Sequence, residues 1–232
     1  MKRQKFSLVK MTRLSRLAGI VGLVSLFLVS CSEKSNEWDP YYSWDTRNAL
    51  WFEEIADSAR LAIAKAKAQY GEEWEKHCQW RMYKSLQRSA DIPGLTTDSI
   101  VCKIVERGKG IQEVNFTDYV LLHYRGWLMP SEYVTQNAAI KETKSVVFDQ
   151  SYYGDFNPKT AVPATMYVGG TIEGFQTALQ YMVEGDKWYV YIPSDLGYGN
   201  EQSNSIPAYS TLRFLLNLVG VYKDIDDVPD WK

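Results

Sequence analysis

Only two of the 232 residues are histidines, His77 and His123, and only three are cysteines. A histidine-rich zinc site is therefore out of reach, as is a Ser-His-Asp triad with any supporting motif. Gly108-Lys109-Gly110 lacks the third glycine and the strand-to-helix context of a phosphate loop. Asn115-Phe116-Thr117 has the spacing of a glycosylation sequon, a three-residue pattern of little weight. What remains is an aromatic and aliphatic set at strand ends and in loops. Tyr198 and Ile206 stand out in SDLGYGNEQSNSIPAYSTLRF (194–214), a polar, flexible stretch where folding needs neither. Such side chains do no acid–base or nucleophilic work unaided. They can bind an apolar segment, or twist one.

The elements that must position them follow from hydrophobic period. SIVCKIVERG (99–108) alternates as a strand, and Gly108-Lys109-Gly110 turns the chain. DYVLLHYRGWL (118–128) puts Val120, Leu122 and Tyr124 on one face, with His123 pointing away. KWYVYIP (187–193) and TLRFLLNLVGVY (211–222) are two more strands, the last aligning Leu212, Phe214, Leu216 and Leu218. Ahead of both, TIEGFQTALQYM (171–182) has helical spacing at Ile172, Phe175, Leu179 and Met182. Thr171 is the expected N-cap, and VEGD, with Gly185, is the expected stop. Several antiparallel strands and one short helix predict an α+β unit, the sheet wrapped around that helix.

Ahead of it, residues 45–92 read as helical. Trp51, Ile55, Ala59, Ala62 and Ala66 form one stripe, Gly71 interrupts, and Trp74, Cys78, Met82 and Leu86 form a second before DIPG (91–94). These Trp-rich faces need a partner: the second domain of the same chain, which we favour, a second copy, or a client. The Cys78–Cys102 pairing is left open by spacing alone.

Residues 1–30 combine six Lys/Arg, no Asp/Glu and an apolar run from Leu17 to Val29, a secretory signal pattern. Leu28-Val29-Ser30-Cys31 resembles the lipobox of bacterial lipoproteins. That resemblance implies cleavage before Cys31, lipidation of its thiol, and a tether over 31–44. Each buried acyl methylene contributes ~0.8 kcal/mol, so several chains anchor firmly. Ser32 after the Cys implies the outer membrane, on the periplasmic face or the cell surface. Loss of 1–30 leaves 20 basic residues against 28 acidic, a net charge of −8. With no basic stripe, nucleic acid is not an expected partner.

LHYRGWL (122–128), VFDQS (147–151), YVGGTIEGFQTALQYMVEGDKWYVYIPSDLGYG (167–199) and SIPAYSTLRFLLNL (205–218), in this order, resemble the FKBP-type peptidyl-prolyl cis–trans isomerase domain. The resemblance places an FKBP-like domain at 99–224, with an inserted loop at 127–147, and leaves 225–232 as a tail. It implies a substrate groove in which Tyr124 is part of the wall and Phe148 and Asp149 give an aromatic wall and a polar edge. Ile172 offers its backbone N–H to a substrate carbonyl, Phe175 is the floor, and the Tyr198 hydroxyl meets the substrate backbone. Ile206 and Phe214 close the apolar side. No metal or cofactor is implied.

The implied chemistry suits such residues. An X-Pro amide isomerises over a barrier of ~20 kcal/mol set by amide resonance. Twisting the bond removes that resonance and reduces charge separation, so a dry apolar pocket favours the twisted form relative to the planar one. No nucleophile is required. The sequence departs from the family pattern at Phe175, where well-known members carry Trp, at Ala164, where an aromatic is common, at Ser205, and at the insertion. Two functions are therefore expected. One is a lipid-anchored isomerase acting on proline-containing envelope clients, with the helical segment as a homodimer or client-holding arm. The other is a non-catalytic FKBP-like chaperone or adaptor.

Overall fold

A computed structural model describes residues 39–134 and 141–231. The expected signal, Cys31, most of the tether and the centre of the insertion (135–140) lie outside the described residues. In chain order the elements are α1 (Trp44–Tyr70), α2 (Trp74–His77), β1 (Trp80–Lys84), β2 (Ser99–Glu106), β3 (Tyr119–Leu128), β4 (Ser131–Val134), β5 (Lys141–Lys144), β6 (Val147–Gln150), β7 (Ala164–Tyr167), α3 (Glu173–Tyr181), β8 (Lys187–Ile192) and β9 (Leu212–Tyr222). All of the described ladders are antiparallel. The main sheet has the order β1-β2-β8-β9-β3-β6, with β7 also on β3, and β4 and β5 form a separate hairpin.

Strand alternation sends two sets of side chains to two helices. Ile100, Cys102 and Ile104 of β2 and Trp188, Val190 and Ile192 of β8 join Phe175 and Leu179 of α3, and Met182 just past its end, in the larger core. Val101 points the other way, into a smaller cluster with Phe52, Ala56 and Ala59 of α1, flanked by Trp80, Met82 and Tyr191. The helical segment's partner is thus the sheet of its own chain. The buried stripe of α1 is Trp44, Asn48, Phe52, Ala56, Ala59 and Ala66, rotated from the expected one. Trp51 and Ile55 flank the seam instead, Trp51 edge-on to Tyr191 with centroids 5.9 Å apart. Alanines on both stripes made the sequence period ambiguous, and the smaller of the two faces allows close approach to the sheet.

The second helical stripe is corrected. Helix α2 ends at His77, and Trp80–Lys84 is an edge strand paired with β2 from Trp80↔Lys103 to Lys84↔Ser99. Trp74, Cys78 and Met82 fit a helical period, but so short a run fits a strand as well. Alternation decides it. Met82 faces α1, while Tyr83 stacks on Tyr181 at 3.9 Å on the α3 side. Buried Arg81 closes the corner, its guanidinium donating to the carbonyls of Glu75, Cys78 and Trp80. Both Cys78 and Cys102 are free and buried.

Two smaller corrections concern α3. Ile172, not Thr171, occupies the N-cap, and the Thr171 hydroxyl donates to the Val168 carbonyl (2.9 Å). The helix ends at Tyr181, and Gly185 (φ 91°) belongs to the turn that follows. Asp186 organises that turn, accepting from Val183 N–H and Gly108 N–H. The insertion, expected as a loop, contains the β4–β5 hairpin. Its base is closed by Leu128 N–H donating to Val146 O.

Candidate functional site

Strand β3 lies between β9 and β6. Gly126 on β3 lets two phenyl rings close over the strand: a Cβ there would sit 2.7 Å from both Phe148 Cζ and Phe214 Cε1. This is the physical content of the glycine in LHYRGWL. The serine of VFDQS has a similar task. Ser151 Oγ accepts from Tyr124 N–H (2.9 Å) and Ser151 N–H donates to Tyr124 O (2.9 Å), pinning the end of β6 to the middle of β3.

The rings then pack edge to face in series. Phe148 meets Phe214 at 5.3 Å, Phe214 meets Phe175 at 5.1 Å, and Phe175 meets Tyr124 at 6.4 Å. Each such pair is worth about 1 kcal/mol beyond its burial. Phe175 is delivered by α3, which lies tightly on β8; a Cβ on Gly174 would come within 2.4 Å of Ile192 Cγ2. The segment before α3 is held by buried Gln176, whose Nε2 donates to the carbonyls of Gly169 and Thr171. Gln87 in turn donates to Gln176 Oε1, and Ser85 and Arg88 bind the Glu173 carboxylate. The connection after β1 thus braces the first turn of α3.

These rings enclose a cavity of about 290 Å³. Tyr124, Phe148, Asp149, Ile172, Phe175, Tyr198 and Phe214 line it, together with Met166, Gly170 and Thr171. Seven of the eight sequence-predicted positions therefore come together. Ile206 does not: it is 5% exposed, belongs to the larger core and is not among the lining residues. Met166, Gly170 and Thr171 were missed. Met166 had a signal, because it is two residues beyond Ala164 on the same face of β7. The described residues of the insertion add no lining side chain.

The rim is polar and underused. Ile172 O accepts from Phe175 N–H and Gln176 N–H, but the Ile172 N–H makes no hydrogen bond among the described residues. Neither does the hydroxyl of Tyr198, which is 38% exposed. Burial, then the Asp149 charge, raises the Tyr198 hydroxyl above its ordinary pKa. Tyr124 is raised further by burial and by the hydrogen bond it makes to Asp149. Both phenols stay protonated and serve as donors. Larger clefts of about 660 and 510 Å³ flank α1. They are broad, and neither is lined by a comparable series of edge-to-face rings. Among the described residues no group of three His, Cys, Asp or Glu is placed to hold a metal ion, and no helix is long and apolar enough to cross a membrane.

Comparison with known proteins agrees with this geometry. Residues 110–219 match the sequence profile of the family described as FKBP-type peptidyl-prolyl cis-trans isomerase. The chain is 31% identical over 141 residues to the peptidyl-prolyl cis-trans isomerase Mip of Coxiella burnetii, covering 60% of this chain and 52% of that protein. It is 28% identical over 165 residues to the outer membrane protein MIP of Legionella longbeachae, covering 69% and 61%. It is 29% identical over 119 residues to FK506-binding protein 1 of Aspergillus oryzae, covering 51% of this chain and 95% of that protein. The chain spans little more than half the length of its first bacterial relatives.

Proposed function

We propose that this chain, which carries an FKBP-type domain over residues 110–219, is a peptidyl-prolyl cis–trans isomerase anchored in the cell envelope through lipid on Cys31. Its substrates are proline-containing polypeptides. The observation that carries the reading is one cavity with an aromatic floor and walls, and donors without partners at its rim. Proline enters against Phe175, with Phe148 and Phe214 alongside. The Ile172 N–H and the Tyr198 hydroxyl hold the flanking backbone, so only the X-Pro bond is free to turn. The dry rings favour the twisted amide, whose charge separation is reduced. No covalent step occurs, and the cavity lining has no cysteine, serine, lysine or histidine. The envelope location rests on the lipobox pattern at Leu28–Cys31, and it accords with the name of the Legionella longbeachae relative.

A second reading has its own support. With Ala164 beside Met166 on β7, one wall lacks an aromatic ring. A groove open on that side could retain unfolded segments without turning them over, acting as a chaperone or adaptor. Refolding of a client whose slow phase is set by X-Pro isomerisation separates the two. An isomerase shortens that phase at substoichiometric amounts. A binding protein leaves its rate constant unchanged and suppresses yield loss only near equimolar amounts.

A further inference from the structure

The rim loop of the cavity is held from outside the matched family segment. We propose that Trp44 and Asn48, in the first two turns of α1, are positioning residues for the loop that carries Tyr198. The proposal rests on the groove reading given above.

The loop leaves the small helical turn at Ser194–Leu196, passes Tyr198 and Ile206, and re-enters the sheet at Leu212. Its return end is locked by α1. Trp44 Nε1 donates to Ser210 Oγ (2.8 Å), and the Ser210 hydroxyl donates to Pro207 O (2.6 Å). Thr211 N–H donates to Asn48 Oδ1 (2.8 Å), and the Thr211 hydroxyl donates to Asn48 O (3.2 Å). Asn48 Nδ2 donates to Trp44 O (2.7 Å), which closes the set. All four residues are buried, Asn48 to 1% exposure. A polar side chain that deep, with each amide group used, is a specific device rather than a filler.

The lock reaches Tyr198 through one further bond. Tyr209 N–H donates to Gly199 O (2.8 Å), tying the return end to the residue next to Tyr198. Tyr209 has φ 61°, in the left-handed region that a side chain disfavours. Such a conformation persists where its surroundings over-determine it, and here Ser210 and Thr211 are the fixed neighbours. Releasing Asn48 frees Thr211 and lets Tyr209 relax. The Gly199 bond then drifts, and the Tyr198 hydroxyl moves with it.

The test uses the full chain, with Asn48→Ala, Trp44→Phe (which keeps a ring and removes the donor) and, as a stability control, Phe52→Leu. Phe52 is buried in the same helix seam and shares the outer cleft with Tyr209 and Thr211, but it makes no hydrogen bond to the loop and does not line the cavity, so it reports packing without the lock. Activity is read on X-Pro peptides below the melting onset of every variant. We expect kcat/KM to fall by about tenfold in Asn48→Ala, mainly through KM because a binding donor is displaced. Trp44→Phe should fall less, and Phe52→Leu should match wild type. Amide exchange of Gly199–Thr211 should quicken in Asn48→Ala and not in Phe52→Leu. Equal activity losses in Asn48→Ala and Phe52→Leu, or unchanged exchange in the loop, would overturn the positioning role. Wild-type chain without isomerase activity would sink the isomerase reading instead, and loop exchange would still decide whether the lock sets the rim.

Discussion

Tyr198 and Ile206 share one loop, yet only Tyr198 reaches the cavity. Ile206 turns into the core, a placement that a flanking Pro and a polar loop did not reveal, because burial depends on what packs over the loop. Tyr198→Phe removes one donor from a partly exposed site. We expect it to cost about 1 kcal/mol of transition-state binding, roughly fivefold in kcat/KM, with the melting temperature nearly unchanged by calorimetry; Asp149→Ala should likewise lower turnover without unfolding the chain. Gly126→Ala should do the opposite in kind. Its Cβ meets two phenyl rings at 2.7 Å, so chemical denaturation should show a loss of about 1–3 kcal/mol together with lower activity. His123 has a different consequence. It is buried against Tyr152 and Phe156, its Nδ1 has no partner among the described residues, and burial lowers its pKa. The folded chain therefore binds a proton less readily than the unfolded one. That contribution is intact above the unfolded value of about 6.5 and is lost as pH falls below it. His123→Phe should flatten stability against pH in that window; an unchanged slope in urea titrations from pH 7 to about 5 would show that another group governs it.

At the scale of elements, long strands were legible and short ones were not. β3, β8 and β9 carry enough alternating apolar residues to declare themselves, and α3 shows its face through Phe175, Leu179 and Met182. β1 is only Trp80–Lys84, and its apolar residues also fit the helical period set by Trp74 and Cys78. What makes it a strand is non-local: the free edge of β2 and the ring of Tyr181. The cap of α3 was displaced for a similar reason: Thr171 sits one residue ahead of the cap, its hydroxyl turned back to donate to Val168 O rather than accepting from a helix N–H. Arg81 holds the α2–β1 corner. Arg81→Met leaves the carbonyls of Glu75, Cys78 and Trp80 without this donor. It should destabilise the chain by about 3 kcal/mol, measurable as a lower urea midpoint at unchanged m-value.

For the molecule as a whole, the site was more legible than its frame. Motifs near the cavity, such as VFDQS and LHYRGWL, carry the family resemblance, and it was that resemblance that named their residues in advance. The route by which α1 packs was not written in any one segment, because it depends on Val101 and Tyr191 presenting a second apolar face of the sheet. The same packing makes α1 and β1 part of the folding unit. A fragment beginning at Ser99 should lose the cooperative melting of the full chain and bind a hydrophobic dye, since it exposes that face and the edge of β2. A sharp, wild-type-like transition would mean that the family-length unit stands alone. The central claim is that the aromatic cavity turns X-Pro bonds, and one measurement meets it directly: NMR exchange spectroscopy on an X-Pro peptide with catalytic amounts of wild type and of Tyr198→Phe. The account predicts cis–trans exchange that is unmeasurably slow without protein, fast with wild type, and several-fold slower with the variant. Exchange as slow with folded wild type as without it would contradict the account.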